Sequence, residues 1–139
     1  MKIARTHARG SVFSYPYKWR PEDPEEPQPK NRPVCLVLEI STAPGIFLLV
    51  IAAISDRRNE SRGLSIPVPA EELKHAGLLE DRLAFVHLDQ YNIDRRQNSQ
   101  IYNPNARNLG FFSPAFTARI AGLLAENIRD GRAKRINRI

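Results

Sequence analysis

Val34-Cys35-Leu36-Val37-Leu38-Glu39-Ile40, then Ser41-Thr42-Ala43-Pro44-Gly45, then Phe47-Leu48-Leu49-Val50-Ile51-Ala52-Ala53-Ile54: this stretch decides the fold. Both flanks are apolar and rich in β-branched residues, and the segment between them carries a strong turn signal. Residues 34–40 and 47–54 are therefore expected to be strands. Their hydrophobicity is near-continuous rather than alternating, so both faces of each strand should be covered. Lys30-Asn31-Arg32-Pro33 leads into the first run, and Ser55 closes the second. A guanidinium thus sits at the mouth of one strand and a hydroxyl at the end of the next.

Working outward, Val12–Tyr15 reads as a short strand after Gly10. The connection Pro16–Arg32 carries Pro16, Pro21, Pro24, Pro27 and Pro29, a density that neither helix nor paired strand tolerates. A long loop in a small domain is usually functional or mobile. On the other side, Leu64–Val68 is expected as a strand and Pro69–Gly77 as a brief helix. Acids occupy its first turn, Lys74 and His75 its last, and Gly77 stops it. Leu83–Leu88 and Gln100–Tyr102 are read as further strands. Ser113 caps a final helix with Pro114 at its first position, and Phe116, Ile120, Leu123, Leu124 and Ile128 recur at helical spacing up to the terminator Gly131. The expected fold is mostly β, of α+β class: a compact, mainly antiparallel β-barrel with a short helix and a C-terminal amphipathic helix. Residues 1–131 form one domain in this reading, and 132–139 a basic tail.

The chain has 139 residues, 42% hydrophobic and 26% charged, the balance of a soluble globular domain. Its longest apolar run, Ile46–Ile54, has nine residues, against roughly twenty for a membrane-spanning helix. Lys2, Arg5, His7 and Arg9 break any apolar leader. Cys35 is the sole cysteine, so an internal disulfide is excluded. A cytoplasmic protein that contacts no membrane fits these features. Net charge is +6 and the pI about 9.9, a surplus that suits a polyanion such as RNA or DNA, or an acidic protein.

Cofactor chemistry finds little support. Neither a P-loop nor a dinucleotide fingerprint is present. His87 and Asp89 share a strand face at two-residue spacing, yet no third metal ligand is evident, so no cofactor or metal is expected. Charge and hydrogen bonding remain. RNA can be cut by its own 2′-hydroxyl if a protein orients the attack and neutralises the phosphoryl oxygens. Arg32 offers a forked donor for phosphate, and Ser55 a hydroxyl donor. The plainer alternative is that Arg32 pairs with loop acids such as Glu26 while Ser55 starts a turn.

Arg9-Gly10 before a short strand, Arg32-Pro33 before Val34–Leu38, Ile51-Ala52-Ala53-Ile54-Ser55, Leu64–Pro67, Asp81–Asp94 and the Leu109–Pro114 helix entry together resemble the MazF/PemK family of toxin endoribonucleases. The resemblance spans roughly residues 9–129. It implies an SH3-like barrel that forms a homodimer and cleaves single-stranded mRNA to 2′,3′-cyclic phosphate and 5′-hydroxyl ends. It also implies an antitoxin protein bound over the same groove. The family's catalytic Arg matches Arg32, its catalytic Thr or Ser matches Ser55, and its gating loop matches 16–31. The chain departs from the pattern at Ser11, in the loop Asp23–Pro27, and at Tyr91, where a basic residue is usual. Lys18, Trp19, Lys30, Tyr91, Arg57, Arg58, Arg95 and Arg96 are the expected RNA-binding residues. The aromatics would stack unpaired bases, and the two arginine loops would rim one groove. A barrel that has lost turnover but still binds nucleic acid or an antitoxin-like protein is the alternative.

Overall fold

The computed structural model describes residues 7–19, 29–56 and 64–139. Its centre is the expected pair of strands, each longer than the sequence suggested. Strand β2 (Arg32–Ala43) runs antiparallel to β3 (Ile46–Ser55), from Val34 opposite Ala53 to Ala43 opposite Ile46. Ser41-Thr42-Ala43 joins the strand, so the turn shrinks to Pro44-Gly45. Gly45 has φ +77°, and a proline followed by a left-handed glycine is the type II pattern.

Strand β1 (Ser11–Tyr15) pairs with the far edge of β2, and β7 (Asn108–Phe111) pairs with β1. Two strands share the opposite edge of β3. Its middle pairs with β6 (Gln90–Arg95), and its last two residues pair with β5 (Phe85–His87). Strand β4 (Ser65–Pro67) extends β5, and β8 (Lys134–Asn137) lies parallel to β6. The other pairs are antiparallel. With helices α1 (Ala70–His75) and α2 (Pro114–Arg129) this is an α+β protein built on a mostly antiparallel sheet. The pairing does not close that sheet into a barrel.

Near-continuous hydrophobicity in β2 and β3 reflects two separate cores, one on each face. Cys35, Val37, Val50, Ala52 and Ile54 pack with Leu73 of α1 and Phe116, Ile120 and Leu124 of α2. Val34, Leu36, Leu49, Ile51 and Ala53 pack with Phe13, Tyr15, Tyr17 and Tyr102. Fully buried aliphatics such as Ile51 and Ile120 each contribute about 2–3 kcal/mol by transfer from water.

Helix α2 begins as expected. The Ser113 hydroxyl accepts from the Phe116 N–H, while the Ser113 N–H and O–H each donate at 2.7 Å to the carboxylate of Glu72 on α1. Gly77 ends α1 with φ +68°, and a Cβ there would lie 2.1 Å from the Leu109 carbonyl oxygen. Only glycine allows β7 to approach the helix so closely.

One expectation needs correction, and two strands fall where the sequence reading assigned no element. Gln100–Tyr102 is an irregular loop, and the strand of this region comes later, at 108–111. Gln90–Arg95, polar in sequence, is a strand. Part of the basic tail is also a strand, and it is tied in by Lys134 N–H to the Asp89 carbonyl and Arg138 N–H to the Ile93 carbonyl. Among the described residues no helix is long and apolar enough to cross a membrane.

Candidate functional site

Arg32 is the first residue of β2 and pairs with Tyr15 of β1. The β2–β3 register holds residue numbers summing to 87, as in Val34 opposite Ala53. The paired residues end at Val34 and Ala53, and the same register continued by two positions would align Arg32 with Ser55. Residues two apart on a strand share a face, so Arg32 and Ser55 both lie on the face of Val34, Ala53 and Tyr15. Both residues are half-buried.

A third group joins them. Ser55 pairs with Phe85 on β5, and His87 lies two residues along that strand on the same face. Its Nε2 is 2.7 Å from the Ser55 Oγ, and the ring is buried. Read alone, the sequence suggested only a His87–Asp89 metal pair. Among the described residues no group of three His, Cys, Asp or Glu side chains is placed to hold a metal ion.

The segment after β1 roofs the cluster. Trp19 packs edge-on against His87, with ring centroids 5.2 Å apart, and the Arg32 Cζ lies 4.9 Å from the centre of the Trp19 ring. A cation over an indole face gains about 0.5–2 kcal/mol depending on desolvation. Asn92 of β6 holds this roof. It accepts from the Lys18 N–H at 2.9 Å and donates to the Lys18 carbonyl at 2.8 Å. That clamp turns Tyr17 into the core and Trp19 onto His87. Burial pushes the Tyr17 phenol well above the usual tyrosine range, the Asp89 carboxylate adds to the rise, and the Arg32 guanidinium opposes it. The Tyr17 hydroxyl, Arg32 Nε and Asp89 Oδ1 are buried with no hydrogen-bond partner among the described residues.

The remaining expected RNA-binding residues divide. Lys18 and Lys30 are exposed on the segments that flank the cluster. Arg57 and Arg58 lie outside the described residues, as do Glu26 and loop residues 20–28. Tyr91 does not reach the site; it is buried in the core on the opposite face of the sheet, packed with Val37 and Ile93. Stacking of a base on Tyr91 does not fit that placement. Arg95 pairs with Leu48, seven residues from Ser55 along β3, roughly 23 Å at strand rise. Arg96 bonds the Glu39 carboxylate and the His7 carbonyl. These two arginines therefore do not share a rim with Ser55.

Neither protein-family models nor curated proteins show a match to this chain.

The chemistry of the site rests on its own geometry. A neutral imidazole whose Nε2 accepts from Ser55 can draw a proton through that hydroxyl. Once charged, its N–H must donate to Oγ, which frees the serine O–H for another acceptor. An adjacent guanidinium supplies fixed positive charge. The combination suits an anion that must be deprotonated nearby and stabilised while it reacts.

Proposed function

We propose that the chain is a metal-independent endoribonuclease of MazF/PemK type, the toxin of a toxin–antitoxin pair, acting on single-stranded RNA through Arg32, Ser55 and His87. The observation that supports the reading is the Ser55–His87 hydrogen bond, with Trp19 packed against both His87 and the Arg32 guanidinium. In the proposed reaction the 2′-hydroxyl gives its proton to Ser55 as Ser55 passes its own to His87. The 2′-oxygen bonds to phosphorus, the bond from phosphorus to the 5′-oxygen breaks, and the leaving oxygen takes a proton from a water molecule whose hydroxide is neutralised by the proton held on His87. Arg32 neutralises the phosphorane oxygens, and the freed Ser55 O–H adds a donor. The products are a 2′,3′-cyclic phosphate and a 5′-hydroxyl. Trp19 offers a stacking surface for a base beside the cleaved linkage. The two-faced sheet is read as a small SH3-like barrel opened along one seam. A homodimer and an acidic antitoxin segment over the Arg32 face belong to the same proposal, as does a cytoplasmic location.

The test is incubation of the purified chain with long single-stranded RNA in EDTA, with product ends mapped. Cyclic-phosphate ends that disappear with Arg32→Ala, while its circular dichroism is unchanged, support the reading. Intact RNA with the wild type, or 5′-phosphate ends, refutes it.

A further inference from the structure

At the opposite end of β3 and β6, a cavity of about 360 Å³ is lined by Asp94, Arg95, Asn98, Ser99, Arg138 and neighbouring residues. Asp94 pairs with Leu49 and bonds the Tyr15 hydroxyl, which sets its side chain on the sheet face that carries Tyr15, Val34 and Ala53. Its walls are built rather than incidental. Asn98 takes φ +61°, a left-handed conformation that asparagine tolerates but most side chains avoid. The Ser99 hydroxyl donates to Asp94 and accepts from the N–H groups of Ile101 and Tyr102. Arg138 is anchored by a 3.0 Å bond from Nη1 to the Pro16 carbonyl.

These bonds decide which groups remain available. Both carboxylate oxygens of Asp94 are used, one by Tyr15 and the other by Ser99 and the Arg95 N–H. The Ser99 hydroxyl is used on both sides. Among the described residues, what is left is the Arg95 guanidinium, the other N–H groups of Arg138, the Asn98 and Gln100 carboxamides, and apolar surface from Ile101 and Ile139. Two guanidiniums match a phosphate bidentately. Carboxamides can read the edge of a base, and isoleucine can cover its face. The volume falls within the range of small-ligand sites.

The geometry points to a second binding site here, one that takes a nucleoside phosphate. Its source is either a nucleotide of a bound RNA strand some way from the cleaved linkage, which rests on the ribonuclease reading, or a free nucleotide, which does not.

The experiment titrates the isotopically labelled full chain with adenosine 5′-monophosphate, adenosine and inorganic phosphate, following backbone amide shifts. Adenosine monophosphate should move the amides of 95–101 and 138, and Arg95→Ala should weaken that binding at least roughly tenfold without shifting amides elsewhere. Oligonucleotides with 2′-methoxy groups, which cannot be cut through their own 2′-hydroxyl, then distinguish the sources. If Arg95→Ala weakens binding of a decanucleotide but not of a trinucleotide, a strand fills the cavity. If it weakens only the mononucleotide, the ligand is free. Absence of shifts with adenosine monophosphate at millimolar concentration overturns the inference, as does adenosine binding as tightly as its phosphate. Such a failure alongside intact RNA cleavage leaves the proposed function standing. Binding here without cleavage does the reverse.

Discussion

Asn92→Ala removes the clamp on the roof of the site, and its effect can be worked from two bonds. The carboxamide is fully buried and makes two hydrogen bonds to the backbone of Lys18. Each neutral bond contributes about 1 kcal/mol net, and a buried group left without a partner costs about 1–3 kcal/mol. Lys18 is exposed, so water can reach part of its freed backbone, and the expected loss is about 2 kcal/mol rather than 4. For a chain of this size that corresponds to roughly 8 °C in Tm. Trp19 is the only tryptophan, and its emission reports the roof directly. Urea unfolding followed by circular dichroism should give the stability loss. Native-state fluorescence should move to longer wavelength as Trp19 leaves His87. A loss under about 0.5 kcal/mol with unchanged emission would refute the view that Asn92 sets the roof.

Four further outcomes are expected. Glu72→Ala should lower stability by about 2–3 kcal/mol in denaturant titration, because it deletes two charge-assisted bonds to the cap of α2. Gly77→Ala should lower it by at least about 2 kcal/mol, since a left-handed φ is combined with a clash against the Leu109 carbonyl. Cys35, buried with its thiol pushed up to about 12, should resist an aromatic disulfide reagent in native buffer and react in urea. His7 supplies a pH dependence. Its Nε2–H donates to the Ala106 carbonyl, its Nδ1 accepts from the Tyr102 hydroxyl, and burial foremost holds it below the ordinary 6.5. Between the folded and unfolded values the unfolded chain binds more protons, so this contribution is complete above about pH 6.5 and is lost as pH falls. Urea midpoints from pH 7.5 to 5 should drop for the wild type and flatten there for His7→Gln.

Much of the fold was legible because local chemistry and tertiary context agreed. The runs 34–40 and 47–54 could only be covered strands, Pro44-Gly45 could only be a turn, and Ser113-Pro114 opens α2 where its apolar stripe begins. Strand β6 escaped because both of its faces are buried while one of them carries polar side chains. Gln90, Asn92 and Asp94 are buried, and Asn92 bonds Lys18 and Asp94 bonds Tyr15, 74 and 79 residues away. No single-sequence pattern announces such partners. Arg32 and Ser55 were recognisable as chemical types, but their adjacency depends on a register that only pairing reveals. The position of His87 beside Ser55 was hidden for the same reason. Its visible neighbour was Asp89, two residues on, while its hydrogen-bond partner Ser55 lies 32 residues away. Tyr91 misled because an aromatic in a polar stretch reads as exposed, whereas strand alternation turns it into the opposite core.

The measurement closest to the central claim is single-turnover cleavage of labelled single-stranded RNA by the wild type and by His87→Ala, both checked for intact fold. The expected result is cyclic-phosphate products from the wild type and a rate about 10²–10⁴ lower without the imidazole. Equal rates from the two proteins would contradict the assignment of Ser55 and His87 as a proton relay beside Arg32.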